Sequence, residues 1–258
     1  MQKINLRVYM YRRNRAKFIP LCGNIGNHDL ELGDTSPIKD LLDMNKYRKD
    51  TETANTMFTQ TSALHYDGEI NTEKAYVLIG VYKGQDSRTP NTLYSGMNRI
   101  KSILLDFYFD NYEEMQKFGF TVVQGKKGYN VRLPKRSPFI MLNAVKKCIA
   151  QHKELGKDSP LVNYDMKKFE TYGKEADGFI NLANKYHDNA EVISEKLNNL
   201  LGFAKEQSIR TKGTLYNRVG LIRDFLLVLY SGKEKQIEDW GFKIIISTNK
   251  KKKEEESS

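Results

Sequence analysis

The sequence predicts a mainly α-helical protein built from two tandem, duplicated helical-bundle repeats, with short β-strands at the repeat junction and at the ends. Two observations predict this fold class. Apolar residues recur at helical spacing through most of the chain, and short runs of alternating or β-branched residues separate the helical segments. A chain of 258 residues with 39% hydrophobic residues is also long enough to bury one large core or two ordinary ones.

The tandem organisation follows from an internal repeat. A shift of 122 residues aligns 43–123 with 165–245 without a gap, and the 81 aligned positions contain 23 identities. Average residue usage gives roughly five identities by chance. We therefore predict a first repeat over 1–124 with a basic N-terminal strand, a second repeat over 125–247 that also begins with a basic strand, and a charged tail over 248–258.

Short strands are expected where each repeat begins and ends. Gly125 and Gly128 enclose two lysines between the second and third strands, which favours a tight hairpin. Because an unpaired strand edge must be paired or protected, we expect the strands to pair between the repeats or between subunits. The predicted strands are 4–11, 120–123, 129–133 and 242–246.

The first helical segment differs between the repeats. In repeat 2, residues 139–155 show an amphipathic helical pattern that stops at Gly156. The equivalent segment of repeat 1 contains Pro20, Gly23 and Gly26, which disfavour a helix. We therefore expect a loop or a broken turn there.

Three further helices are expected in each repeat, and the last is the most apolar. Its apolar positions in repeat 2, such as Leu215, Val219 and Ile222, follow helical spacing and indicate a buried face. After it, Gly119 or Gly241 stands between two aromatic residues, where a left-handed glycine ends a helix and its neighbours pack back on the bundle. The expected helices are 43–64, 69–83 and 93–109 in repeat 1, and 165–186, 190–206 and 215–230 in repeat 2.

The net charge of +10 is concentrated in two acid-free segments. Residues 1–20 carry +6 and residues 124–137 carry +5, and tyrosines are interleaved with the cations. Such segments suit phosphate contacts and base stacking with DNA or RNA, and they also suit a solubilising surface or docking of an acidic protein. The candidate binding residues are Arg7, Arg12, Arg13, Arg15, Lys17, Lys126, Lys127, Arg132, Lys135 and Arg136.

No catalytic or metal-binding constellation is complete in the sequence. Gly26-Asn-His-Asp29 is the tetrapeptide of calcineurin-like phosphoesterases, but the upstream Asp-x-His and the later ligands of that chemistry are missing. His65 and His187 each precede two glutamates at helical spacing, a pattern that we interpret as a structural hydrogen bond or an exposed ion-pair row. Nucleotide-binding and serine-hydrolase motifs are also missing. We expect no enzyme activity, no cofactor and no bound metal.

The cellular context is bounded by three features. Cys22 and Cys148 lack metal-ligand spacing, which indicates buried thiols in a reducing compartment. No segment approaches the roughly 20 apolar residues of a membrane span, and the first residues lack the apolar core of a secretory signal. We therefore expect no membrane partner, and a location in the cytoplasm, or in the virion if a phage encodes the chain.

Three segments carry a family resemblance: 153–161 (KELGKDSPL), 226–230 (LLVLY) and 240–244 (WGFKI). They resemble uncharacterised helical-bundle proteins of Bacteroidetes-type bacteria and their phages, over most of repeat 2 and more weakly over repeat 1. The resemblance implies a helical bundle and carries no catalytic residue. We expect a non-enzymatic assembly protein that self-associates or docks into a large complex, such as a phage connector, ring or capsid-associated protein. The alternative is a nucleic-acid-binding accessory protein that uses the two basic segments.

Overall fold

A computed structural model of the chain describes residues 4–109, 111–125 and 128–248. The predicted mainly α fold is confirmed, because most of these residues are helical and the short strands form antiparallel pairs. The helices are α1 (Arg15–Leu32), α2 (Met44–Ile79), α3 (Leu93–Phe107), α4 (Pro138–Leu155), α5 (Met166–Leu201) and α6 (Leu215–Leu229). The strands are β1 (Ile4–Tyr9), β2 (Thr121–Gly125), β3 (Gly128–Arg132) and β4 (Lys243–Thr248).

The described strands form two separate two-stranded sheets. In one, β1 pairs with β4, so that Tyr9 lies opposite Lys243. In the other, β2 pairs with β3 as the predicted hairpin, so that Gly125 lies opposite Gly128. In each sheet, the strand that opens one predicted repeat is paired with the strand that closes the other. Lys126 and Lys127, two of the predicted binding residues, lie outside the described residues.

Packing divides the chain into two compact units that differ from the predicted repeats. The first unit comprises Met1–Ala63 together with Ala190–Ser258, and the second unit comprises Leu64–Asn189. The chain passes from one unit to the other within α2 and again within α5. The predicted division between residues 124 and 125 is therefore a division of the sequence pattern, and the packing units cut across it.

Each unit has its own apolar core. In the first unit, Trp240 and Phe18 are fully buried among aliphatic side chains from α1 and α6. In the second unit, Phe118 is fully buried among side chains from α3 and α4. Gly119 and Gly241 take the left-handed conformation that was predicted for them, with φ of 87° and 84°. Because glycine adopts this conformation cheaply, the aromatic residues on either side can turn back into the cores.

The expectation of a loop around Pro20 is wrong, because α1 runs through it without a break. Asn14 caps the first turn of the helix with its side chain. A proline inside a helix costs about 3 kcal/mol. However, Phe18, Leu21 and Ile25 are fully buried, and each such burial contributes about 1.5–3 kcal/mol. Tertiary burial therefore outweighs the local preference.

The expected breaks within the long helical segments are also wrong. Both α2 and α5 are continuous helices of 36 residues. Gly68 falls between the predicted helices 43–64 and 69–83, but it lies buried within α2, and a Cβ there would lie 2.8 Å from Cε1 of His187. The glycine permits a close approach of two helices in the second unit, and its local cost of about 1 kcal/mol does not end the helix.

Helix bounds recur along the chain at the offset found in the sequence. The bounds of α2 and α5 differ by 122 residues at both ends, and so do those of α3 and α6. A duplicated segment would produce this spacing. Duplication itself stays a prediction, and superposition of the two halves in an experimental structure is the measurement that tests it.

Candidate functional site

In the first unit, the connection between β1 and α1 forms one wall of a cleft. Tyr9 ends β1 and Asn14 caps α1. Between them, Tyr11 and Arg13 have φ of 48° and 59°, which L side chains rarely adopt. This turn carries the chain from the strand into the helix along the cleft, which has a volume of about 620 Å³. We call it the tyrosine cleft, and its lining includes Tyr9, Tyr11, Tyr216, Arg12, Lys17 and Lys243.

The tyrosine cleft is positively charged and has no carboxylate in its lining. Arg12, Lys17 and Lys243 are exposed. Within the described residues, no ion pair of 4.0 Å or less involves any of these three side chains. The fourth cation of the lining, Arg223, differs because its NH2 lies 2.6 Å from Oδ1 of Asp224. Three cations from three different elements are therefore available to an anion.

Two of the tyrosines can present their rings in the cleft. The Tyr9 side chain is 39% exposed, and Tyr11 is half-buried with Nζ of Lys17 5.8 Å from its ring centroid. Tyr216 is buried and packs edge-on against Phe18, with 5.7 Å between the ring centroids. The cleft thus combines anion-binding groups with flat apolar surfaces for an aromatic group.

The other predicted residues of the first segment lie elsewhere. Nε and NH2 of Arg15 donate to Oδ1 of Asn198 at 3.1 and 2.8 Å, and burial lowers the pKa of its guanidinium. Arg15 therefore ties the start of α1 to the end of α5. Arg7 is exposed on β1 and Arg13 is exposed in the turn, and neither lines the tyrosine cleft.

The second unit has a basic cleft of about 490 Å³ along β3 and α4. We call it the lysine cleft, and its cations are Arg132, Lys135 and Lys147. It contains no carboxylate and no aromatic ring. Arg136 does not line it, because its NH2 donates to the carbonyl oxygen of Gln85 at 2.6 Å. Among the described residues, the structure therefore does not gather the predicted cations into one site, but places them in two different units.

Three cations of these clefts were missed by sequence reasoning. Lys243 faces Tyr9 across the β1–β4 pair, Arg223 lies in α6, and Lys147 lies in α4. All three belong to elements that the sequence predicts. Their association with the basic segments depends on which strands and helices pair, and no local signal in the sequence gives that pairing.

The Gly-Asn-His-Asp segment has a structural role inside α1. Asp29 is buried, its Oδ2 lies 2.7 Å from NH1 of Arg48, and its Oδ1 accepts a hydrogen bond from Oγ of Ser36 at 2.5 Å. His28 packs edge-on against Trp240, with 4.6 Å between the ring centroids. These contacts connect α1 to α2 and to the first core, and they occupy both carboxylate oxygens of Asp29.

Other reactive side chains also occupy packing positions. The rings of His65 and His187 lie 5.8 Å apart. In the part of the chain that the structure describes, no group of three or more histidines, cysteines or acids is placed to hold a metal ion. Cys22 and Cys148 are buried, and burial raises the pKa of each thiol to about 12.

Within the described ranges, no helix combines the length and apolar character that a bilayer crossing requires. The chain matches no protein-family model, and no curated protein or solved structure is significantly similar to it. The resemblance to helical-bundle proteins of Bacteroidetes-type bacteria and phages therefore stays a prediction.

Proposed function

We propose that the chain is a non-catalytic structural protein that assembles with further copies of itself. The observation that carries this proposal is apolar exposure at the C-terminal ends of α3 and α6. Phe107 and Phe109 are 61% and 69% exposed, and Val228 and Leu229 are 79% and 48% exposed. Phe107 and Leu229 occupy equivalent positions at the offset of 122 residues. Each unit therefore presents exposed apolar side chains at the C-terminal end of its most apolar helix, and one of these positions is shared.

The size of the exposed apolar surface favours association. A phenylalanine buries about 150–250 Å² in a core, so each exposed ring leaves on the order of 130 Å² in water. Covering that area contributes roughly 3 kcal/mol per ring. Two such patches on one chain suit a contact of each copy with two neighbours, which produces a ring when the rotation closes.

The two-stranded sheets offer a second means of association. Each described strand has one partner, so each retains an edge with unpaired backbone groups in the described part of the chain. Tyr9, Val123, Tyr129 and Ile245 are exposed side chains on these strands. Edges of this kind bind strands of other chains by backbone hydrogen bonds.

The biological setting that we propose is a phage particle. A connector, ring or capsid-associated protein needs repeated contacts between copies and no chemistry of its own. The family resemblance of segments 153–161 and 240–244 supports this setting. Electron microscopy of the purified protein tests it directly, because a connector or ring component should form closed rings of uniform diameter.

Light scattering tests self-association. We expect a mass of several chains, and we expect it to persist in high salt because apolar contacts are not screened. The double substitution Phe107→Ser and Phe109→Ser should reduce the mass toward one chain. Val192→Ser is the matched control, because Val192 is 53% exposed on α5 and lies outside both patches. A single-chain mass at every concentration, or an unchanged mass in the double variant, would contradict the proposal.

A further inference from the structure

The tyrosine cleft has features that self-association does not use. Three exposed cations line it without a carboxylate partner in the described residues, and Tyr9 and Tyr11 present rings beside them. We propose that the tyrosine cleft binds single-stranded nucleic acid. This is an activity beyond the proposed assembly function and does not depend on it.

The cations provide phosphate contacts. Arg12 comes from the turn after β1, Lys17 from the first turn of α1, and Lys243 from the start of β4. Cations from three elements can follow a backbone of repeated phosphates, whereas a single small anion needs convergence on one point. With three phosphate contacts, the affinity for a single strand should fall about 20-fold between about 50 mM and about 200 mM salt.

The tyrosines favour a single strand over a duplex. Every nucleobase has a flat face that can stack on an exposed tyrosine ring, and such stacking tolerates any sequence. In a duplex these faces are covered by neighbouring bases, so the rings would contribute nothing. Nζ of Lys17 lies 5.8 Å from the centroid of the Tyr11 ring, which places a cation beside a stacking surface.

Backbone strain marks the same place. Tyr11 and Arg13 both have positive φ, a conformation that is costly for a bulky or long L side chain. Asn14 stabilises the turn by donating its backbone N–H to the Tyr11 carbonyl at 3.0 Å. Strain of this kind is concentrated at binding sites, where the surrounding structure holds it. The strained turn is the segment that carries Tyr11 and Arg12 into the cleft.

The lysine cleft supplies a control within the same chain. It has the cations Arg132, Lys135 and Lys147 but no aromatic ring in its lining. If charge alone directed binding, both clefts would contribute equally. If stacking directs it, the tyrosine cleft should dominate.

The experiment is fluorescence anisotropy with a labelled DNA strand of roughly 12 nucleotides, measured on the full chain in low salt. Tyr9→Leu keeps an apolar side chain but removes the stacking ring, and it should weaken binding roughly tenfold. Lys17→Gln should weaken binding several-fold and reduce the salt dependence. Lys135→Gln, the control in the lysine cleft, should change binding less than about twofold. Circular dichroism checks that each variant is folded. If Tyr9→Leu does not fold, the comparison of Lys17→Gln with Lys135→Gln tests the proposal.

Four outcomes would overturn the proposal. The first is no binding in low salt, and the second is equal competition by a duplex of the same sequence. The third is a loss in Lys135→Gln as large as that in Lys17→Gln. The fourth is equal binding of poly-glutamate that Tyr9→Leu leaves unchanged, which would assign the cleft to an acidic protein. Light scattering on the same samples separates any failure of binding from a failure of assembly.

Discussion

The two units differ in the pair of residues that joins their most apolar helix to the neighbouring long helix. In the first unit, NH1 of Arg218 donates to Oδ2 of Asp50 at 2.7 Å, and NH2 donates to the carbonyl oxygen of Gly213 at 3.1 Å. Only 11% of the Arg218 side chain is exposed. In the second unit, Gly96 occupies the equivalent position, and the ring of Phe169 covers it.

Where the first unit has the Arg218 side chain, the second unit has a cavity of about 200 Å³ beside Gly96. Its lining includes Gly96, Phe169 and Tyr172, and Tyr172 stands where the first unit has Asp50. Arginine is thus combined with aspartate in one unit, and glycine with aromatic rings in the other. The same pair of positions in the helix packing therefore accepts either a charged pair or glycine with aromatic rings.

Breaking the ion pair of the first unit should have the largest effect. Arg218→Ala leaves Asp50 largely buried without its partner, which should cost about 3 kcal/mol of unfolding free energy. Urea denaturation followed by the fluorescence of Trp240, the single tryptophan, measures the change in the first unit. Arg210→Ala is the control, because Arg210 is an exposed arginine of the first unit, and it should cost less than about 0.5 kcal/mol. If the two variants lose the same unfolding free energy, the ion pair contributes no more to stability than an exposed arginine does.

Filling the glycine of the second unit should have the next largest effect. In Gly96→Ala, the new Cβ would lie 2.7 Å from Cε2 of Phe169 and 3.2 Å from the hydroxyl of Tyr164. Overpacking of this kind costs about 1–3 kcal/mol, and denaturation followed by circular dichroism measures it. A variant as stable as the original chain would show that Phe169 can move aside freely.

Gly178→Ala is the matched control for that substitution. Gly178 lies within α5, and nothing lies within 4 Å of the position that its Cβ would occupy. Alanine is the better helix former, so this variant should gain about 0.5–1 kcal/mol. The two glycine substitutions should therefore have opposite signs, and a loss at both positions would contradict this account of Gly96.

A smaller difference between the two units should appear in their stability at low pH. The second unit has Glu170 where the first has Arg48, and hydrogen bonds from Lys153 and Lys174 lower the pKa of the Glu170 carboxyl below 4.5. A lowered folded-state pKa contributes stability above that ordinary value, and the contribution is lost as the pH falls through the folded pKa. Lys153→Met should therefore flatten the loss of stability between about pH 5 and about pH 3. If the unfolding free energy of Lys153→Met falls with pH as steeply as that of the original chain, the Lys153–Glu170 pair contributes nothing to stability in this range.

The two units should differ least in the reactivity of their buried cysteines. Cys22 lies in the first core and Cys148 in the second, and burial raises both pKa values to about 12. At about pH 8 only about one thiol in ten thousand would be ionised. Neither cysteine should react with a thiol reagent in the folded chain, and both should react in urea. Rapid labelling of one cysteine in the folded chain would show that its unit opens readily.

The helices and strands could be predicted from sequence where the local pattern and the packing agree. The spacing of Leu215, Val219 and Ile222 predicts α6, and Gly125 and Gly128 predict the hairpin. The prediction is wrong where tertiary packing overrides propensity. The buried residues around Pro20 keep α1 helical, and the close contact of Gly68 with His187 explains a glycine that does not end its helix.

The candidate site could be predicted only in part. Arg12 and Lys17 lie in an acid-free segment and line the tyrosine cleft. Arg15 lies in the same segment but binds Asn198, because its side chain points to the end of α5 rather than into the cleft. Lys243 joins the cleft through the β1–β4 pairing. That pairing joins strands more than 230 residues apart, and only the folded chain shows it.

Amide hydrogen exchange at low and high protein concentration tests self-association and its location together. We expect exchange to slow with concentration in Thr121–Gly125, in Lys243–Thr248 and at the C-terminal ends of α3 and α6. The helix interiors should exchange at the same rate at both concentrations. Identical exchange throughout the chain at every concentration would contradict the proposal that these surfaces join one copy to the next.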